Sequence, residues 1–266
     1  MTTARACSTK RSAPPALVAR SVAARARAPP PCPALDFRVD SVCVPPRWPS
    51  RFCCDDELAF IGVDGRDAAH ELAALEAGGP RRRTQELIAV VRANEVDGAA
   101  VLEVGAGVGA VHLALLAAGA ASAVDVDASR EYLAAARRAA ERRGLADRVD
   151  YRYGDIVELS ANLPPADVVV LDSVVCCYPY LPVLLEAAVS PGPRLVGLTY
   201  PRDSWWMRIY MRFWNGRRLV SGSPERYFIH RHRTVREILA QAGFREIYSG
   251  GSPAWRVCAY ALEGRT

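Results

Sequence analysis

Lysine is almost missing from this chain. Of 34 basic residues only Lys10 is a lysine. Arginine, alanine and glycine dominate, the texture of a GC-rich coding bias, so the number of arginines is no functional evidence and each is judged by its position. Long apolar runs are missing too. No stretch approaches the roughly 18 consecutive apolar residues of a membrane-spanning helix. No apolar segment of roughly 7–15 residues follows the N-terminal charges, as a secretory signal would need. No repeat of about 20–50 residues is present, which excludes solenoids and propellers. The eight cysteines show no Cys-x-x-Cys spacing. That argues against a zinc site, and eight in this length are too few for a disulfide-stapled miniprotein.

What is present suits one large domain with a core and a tail: 266 residues, 50% of them hydrophobic. The net charge of +5 is spread along the chain. It tolerates anionic partners but does not by itself argue for nucleic acid. Residues 1–50 differ from the rest. Up to Leu35 there are cations at Arg5, Lys10, Arg11, Arg20, Arg25 and Arg27 and no acid, and prolines cluster at Pro29, Pro30, Pro31 and Pro33. Without a sustained apolar period this reads as a disordered tail. It is either an organelle transit peptide or, the reading preferred, a spurious extension from a start codon set too far upstream. The protein is expected in the cytoplasm, or in an organelle if the tail is a transit peptide.

Residues 51–98 read as a helical cap, with a helix over 67–77, a stop at Gly78-Gly79, and a second helix opened by Pro80 in its first turn. From residue 99 onwards strands and helices alternate. Strands are expected at 99–104, 121–126, 148–153, 167–172 and 194–199, and helices at about 109–118, 129–143 and 181–189. Such alternation means an α/β fold, a doubly wound, Rossmann-like parallel sheet with helices on both faces. A capping box at Thr234 and Glu237 opens a further helix that stops at Gly243. Strands 244–249 and 255–262, joined by a short turn, must then pair antiparallel. A parallel sheet finished by an antiparallel hairpin is the outline of the seven-stranded class I methyltransferase fold.

The strongest motif is Glu103-Val104-Gly105-Ala106-Gly107-Val108-Gly109, between a strand and a helix. Glycines there let the backbone approach a ligand and aim amides at it. The loop also satisfies the dinucleotide fingerprint through Gly105, Gly107 and Ala110. Asp125, with Val126 beside it, lies 20 residues beyond Gly105, where either fold places a carboxylate on ribose hydroxyls. Asp127 is its rival, but is placed rather at the N-terminal end of the next helix. Three features favour S-adenosylmethionine over a nicotinamide. Glu103 is a carboxylate inside an apolar strand, costly there unless hydrogen-bonded or facing a cation such as the cofactor's amino group. Asp155 and Ile156 follow the third strand, where they can meet the adenine amino group and ring; a plain loop cap is the alternative for Asp155. The third feature is the C-terminal hairpin. His112 reads as a packing residue.

The fourth strand ends at Asp172-Ser173-Val174-Val175-Cys176-Cys177-Tyr178-Pro179. Ligands bind at the carboxyl ends of parallel strands, so Asp172 and Ser173 face the cofactor and Cys177 and Tyr178 the acceptor. The segment lacks the Asn/Asp-Pro-Pro-Tyr/Phe run of amino-methylating nucleic-acid enzymes. Together with Tyr200-Pro201-Arg202 and Asn215-Gly216-Arg217 it resembles the magnesium-protoporphyrin O-methyltransferase family, and more closely that family's uncharacterised bacterial relatives with a Cys-Cys-Tyr-Pro run. The resemblance spans roughly residues 80–262. It departs at Cys177, where the porphyrin enzymes carry a histidine implicated in handling the substrate proton. Cys176 and Cys177, like Cys53 and Cys54, read as small buried side chains, since adjacent cysteines make a strained disulfide.

Residues 201–233 crowd Trp205, Trp206, Tyr210, Phe213 and Trp214 among Arg202, Arg208, Arg212, Arg217 and Arg218. They read as a lid in which Arg202 and Trp206 meet a flat, anionic ligand, or as an amphipathic helix on the core. Tyr178, His230 and His232 are the candidates for moving a proton from a hydroxyl acceptor. The leading reading is S-adenosylmethionine-dependent O-methylation of a small planar or anionic molecule, with no metal and no nucleic-acid partner. An RNA methyltransferase, an NAD-linked oxidoreductase and a non-catalytic subunit are the competing readings. Neither the acceptor nor the oligomeric state is legible.

Overall fold

The computed structural model describes residues 65–222 and 225–264. The tail at 1–50, the first part of the expected cap at 51–64, and Cys53 and Cys54 lie outside the described residues. Helices α1 (Gly65–Gly78) and α2 (Arg82–Arg92) lead into strand β1 (Ala100–Val104). Then follow α3 (Ala110–Ala117), β2 (Ser122–Asp127), α4 (Arg130–Arg142), β3 (Val149–Tyr153), the short α5 (Ile156–Leu159) and β4 (Val168–Asp172). The chain continues with α6 (Leu181–Val189), β5 (Leu195–Pro201), α7 (Trp205–Val220), α8 (His232–Gln241), β6 (Phe244–Gly251) and β7 (Trp255–Leu262). Every expected strand and helix is present, most with ends shifted by a residue or two, while the second helix stops at Arg92 and α8 begins ahead of Thr234.

The seven strands form one sheet in the order β3-β2-β1-β4-β5-β7-β6. The first five run parallel, and β7 pairs antiparallel with both β5 and β6. The hairpin therefore inserts its second strand next to β5 and leaves β6 at the edge, with a bulge between Glu246 and Tyr248. Strand β4 (Val-Val-Val-Leu) is covered on both faces, the condition under which a strand reads as a continuous apolar run. On one face Leu184 and Leu185 of α6 and Leu239 of α8 pack on Val169, Leu171, Val196 and Leu198. On the other, Leu87 and Val91 of α2 and Leu115 of α3 pack on Val101, Val168 and Val170. Gly197 lets α2 close on β5, since a Cβ there would lie 3.0 Å from Leu87 Cδ1 and 3.1 Å from Val91 Cγ2. Among the described residues no helix is long and apolar enough to cross a membrane.

Two local expectations change. Helix α2 starts at Arg82 behind Arg81, so Pro80 precedes the helix and its carbonyl accepts from Gln85 Nε2 at 2.7 Å. The capping box at Thr234 does not form. Helix α8 begins at His232, where a 2.7 Å hydrogen bond between the imidazole and Tyr200 Oη holds the first turn, and Glu237 accepts instead from Arg233 at 2.6 Å. Tertiary contact here outweighs the local capping signal.

Candidate active site

The strand order reverses between β1 and β4, the point at which an open parallel sheet places its ligand crevice, outside the carboxyl ends of the strands. The glycine loop forms one wall. Gly105, Gly107 and Gly109 all have positive φ, at 60°, 57° and 78°. A Cβ at Gly105 would lie 2.5 Å from Val174 Cγ2, so only glycine lets the loop close against the segment that follows β4. Gly105 N donates to the Val126 carbonyl at 2.7 Å. Gly107 N donates to Asp127 Oδ2 at 3.0 Å, and Ser129 N to Asp127 Oδ1 at 2.8 Å. Ala106 is buried in the same turn.

Beneath the loop, Glu103 is buried and accepts from both the backbone N and the Nδ1 of His112, each at 2.7 Å. The imidazole supplies the partner that a carboxylate in an apolar strand needs, so His112 is more than packing. Asp125 lies beside Glu103 in mid-strand, opposite Tyr151 on its other side. It is buried, and neither carboxyl oxygen has a hydrogen-bond partner among the described residues. Burial, and the neighbouring carboxylates of Glu103 and Asp127, push its carboxyl well above the ordinary range. Asp125 is thus an interior group, set back from the strand end, whose charged form is disfavoured. The carboxylate at the end of β2, hydrogen-bonded to the loop, is Asp127. Burial raises it to about 6, against the pull of the Gly107 and Ser129 amides.

The end of β4 forms the opposite wall. Ser173 has φ of 67°, a strained value for a side chain larger than glycine's. It is held by N–H bonds to the Thr199 hydroxyl at 2.9 Å and carbonyl at 3.2 Å. Asp172 accepts from Thr84 Oγ1 at 2.5 Å and from the Thr199 hydroxyl. Arg83 Nε donates to Ser173 Oγ at 3.2 Å, and its guanidinium stacks on the Trp255 ring at 4.0 Å. Thr84, Arg83 and Trp255 escaped the sequence reading. Two lie on a helix singled out only for its apolar face, the third at the start of a distant strand, and no spacing links them.

Asp155 caps α5, accepting from Val157 N at 2.8 Å, and its other oxygen accepts from Tyr178 Oη at 3.0 Å. Ile156 is buried among apolar side chains. Burial and Asp155 push the Tyr178 phenol up. His230 Nε2 bonds the Tyr178 carbonyl at 2.9 Å, and burial lowers its imidazole below the ordinary value. His232 does not join them. It is bonded to Tyr200 and lies 3.3 Å from Glu246 under α8. His232, Glu246 and Cys258 bring ligand-type atoms within 4.8 Å of one another, a grouping invisible in the sequence.

Cys176 and Cys177 are reduced, with Sγ atoms 3.8 Å apart. The Cys176 hydrogen bond and the Arg218 guanidinium lower the Cys177 thiol, while Cys176 is raised. The expected lid residues are placed differently from the expectation. Arg202 donates to the carbonyls of Ser252 at 2.6 Å and Gly250 at 2.7 Å, so it latches the β6–β7 turn. Trp206 sits on the outer side of α7, whose inner side is Met207 and Met211. Aromatic side chains cover the outside of this helix because flexible methionines fill the inside.

Residues 101–189 match the family described as a methyltransferase domain. No curated protein matches the chain. Among solved structures, magnesium protoporphyrin IX methyltransferase from Synechocystis with bound S-adenosylmethionine is 18% identical, with a TM-score of 0.56, covering 78% of this chain and 94% of that one. An O-methyltransferase family protein from Burkholderia thailandensis is 15% identical, with a TM-score of 0.59, covering 77% of this chain and 62% of that one. The shared architecture is the class I methyltransferase fold.

Proposed function

We propose, for a chain that carries a class I S-adenosylmethionine-dependent methyltransferase domain, that the reaction is O-methylation of a small planar, anionic acceptor. The residues fit the cofactor. At Gly107 a Cβ would meet nothing nearer than the Tyr132 ring, at 3.9 Å, so the loop backbone is open to a ligand there, and Asp127, at the end of β2, is bonded to the Gly107 amide. The loop would hold the methionine end, Asp127 the ribose hydroxyls, and Asp155 and Ile156 the adenine. The bound cofactor supplies an electrophilic methyl group on a sulfonium. The protein's own part is to align the acceptor and exclude water.

The observation that carries the acceptor class is Arg83. Its guanidinium is stacked on Trp255, bonded to Ser173 and 4.0 Å from Asp172 at the end of β4, and a cation on an aromatic ring suits a flat acceptor bearing a negative charge that would compete with Asp172 for it. Tyr178 donates to Asp155, and its raised phenol is no base near neutrality. His230 is engaged with backbone. A carboxylate, already ionised, needs neither, so a carboxylate acceptor is favoured over a phenol. The test is a methyl-transfer screen of planar carboxylates, phenols and RNA, with NADH as a control ligand. Planar carboxylates should be methylated, and Arg83→Met should lose acceptor use while retaining S-adenosylmethionine affinity. Methylation of RNA alone, or equal loss of acceptor and cofactor by Arg83→Met, would contradict the proposal.

A further inference from the structure

Helix α7 turns its apolar side to solvent. Along its 16 residues, Met207 and Met211 are buried, with Trp214 and Arg218 on the same side by helical spacing. On the opposite side lie Trp205, Ile209, Phe213 and Val220, exposed by 75%, 59%, 63% and 90%. This reverses the usual order, in which the polar face of a surface helix meets water. The helix contains no acidic residue, and its arginines flank the apolar stripe, Arg208 and Arg212 along one edge and Arg217 along the other. Arg208 is paired with Asp203 at its base.

A solvent-facing band of tryptophan, phenylalanine and aliphatic side chains, edged by cations, has the composition of a helix lying in a membrane interface. We propose that α7 docks this protein on an anionic lipid surface, with the Trp205–Ile209–Phe213–Val220 stripe entering the boundary between headgroups and acyl chains and Arg212 and Arg217 meeting lipid phosphates. At about 1.5 Å per residue the helix is roughly 24 Å long, enough to lie flat on a bilayer. Two other occupants fit less well. A second copy packed on the same face would bring arginine edges together with no acid on either helix to balance them. Single-stranded RNA would use the rings and arginines, but Ile209, Leu219 and Val220 offer it neither a stacking plane nor a phosphate contact.

Docking through α7 concerns the outside of the helix and stands whatever the acceptor proves to be. The test is flotation of the full chain with vesicles of phosphatidylcholine alone and of phosphatidylcholine mixed with phosphatidylglycerol. The protein should float with the mixed vesicles and not with the neutral ones. Phe213→Asp should reduce partitioning at least tenfold, and Arg212→Gln about fivefold, the effect of one arginine near a charged surface. The basic N-terminal tail is present in every variant, so a loss on Phe213→Asp belongs to the helix. Both variants should keep wild-type S-adenosylmethionine affinity, which shows that they are folded. Quenching of tryptophan fluorescence by brominated phosphatidylglycerol should accompany binding and disappear in Phe213→Asp. Absence of flotation, or equal flotation of wild type and Phe213→Asp, overturns the proposal. So does a wild-type dimer that Phe213→Asp converts to a monomer without any vesicle binding.

Discussion

Asp125 and Asp127 are two residues apart and chemically identical, yet the fold gives them different work. Asp125 sits mid-strand beside Glu103 with no hydrogen-bond partner, while Asp127 reaches the strand end and takes the Gly107 and Ser129 amides. Asp127→Asn is therefore expected to weaken S-adenosylmethionine binding by about 1.5–3 kcal/mol, the scale of a hydrogen bond to a charged group, and Asp125→Asn to leave it near wild type, both read by calorimetry. The sign with pH follows from the raised carboxyl. Above about 6 the ionised Asp127 would accept from the ribose; below it the proton is retained and affinity should fall. Stability runs the other way. The folded state holds this proton more tightly than the unfolded chain, so the group's contribution to stability declines as pH rises from the ordinary carboxylate range to about 6. Asp127→Asn should flatten the binding profile and reduce the slope of the stability profile, to which Asp125 still contributes. Among the thiols, Cys177 is lowered and Cys258 raised to about 11. Cys177 should thus be alkylated before Cys258, as peptide mapping after brief iodoacetamide treatment would show.

At the scale of the element, the glycine loop works because it closes on the segment after β4. Gly105→Ala forces a Cβ to within 2.5 Å of Val174 Cγ2 at a φ of 60°. A cost of about 1–3 kcal/mol in stability is expected from the backbone strain, with cofactor affinity lost as well, both measurable in a thermal shift titration. Helix α8 contributes differently. Leu239 is buried against the same apolar layer as Val196 and Leu198, and Leu239→Ala should cost about 2–5 kcal/mol of stability in urea unfolding. Its effect on cofactor affinity should be small, since the cradle belongs to β1 and α3.

For the molecule as a whole, the sheet divides the labour. The parallel half, β3 to β5, ends in the crevice, and the antiparallel β7 and β6 close the far side. Arg202 ties the two halves by bonding the hairpin turn. The composition of residues 1–50 offers no apolar face to a core, so their deletion is expected to leave the melting temperature and S-adenosylmethionine affinity nearly unchanged. A drop of several degrees in differential scanning fluorimetry would show that the tail packs on the domain.

The alternation of apolar runs with amphipathic stretches determined by itself that the sheet is parallel, and the short turn between 249 and 255 that its last pair is antiparallel. Those are local properties of period and connection length, carried by consecutive residues. The glycine loop was legible for the same reason, since its chemistry lies within seven positions, 103–109. Tertiary structure decided which carboxylate stands at the end of β2 and takes the loop amide, because a count from the first glycine cannot locate that end. It decided that His112 partners Glu103 and that His232 serves Tyr200 and Glu246. It also joined Arg83, Thr84 and Trp255 to Asp172 and Ser173, residues separated by more than 80 positions. The lid segment shows the division most clearly. Its aromatic and arginine content was plain in the sequence, but the side it presents inward depends on what α7 packs against, and methionines won that place.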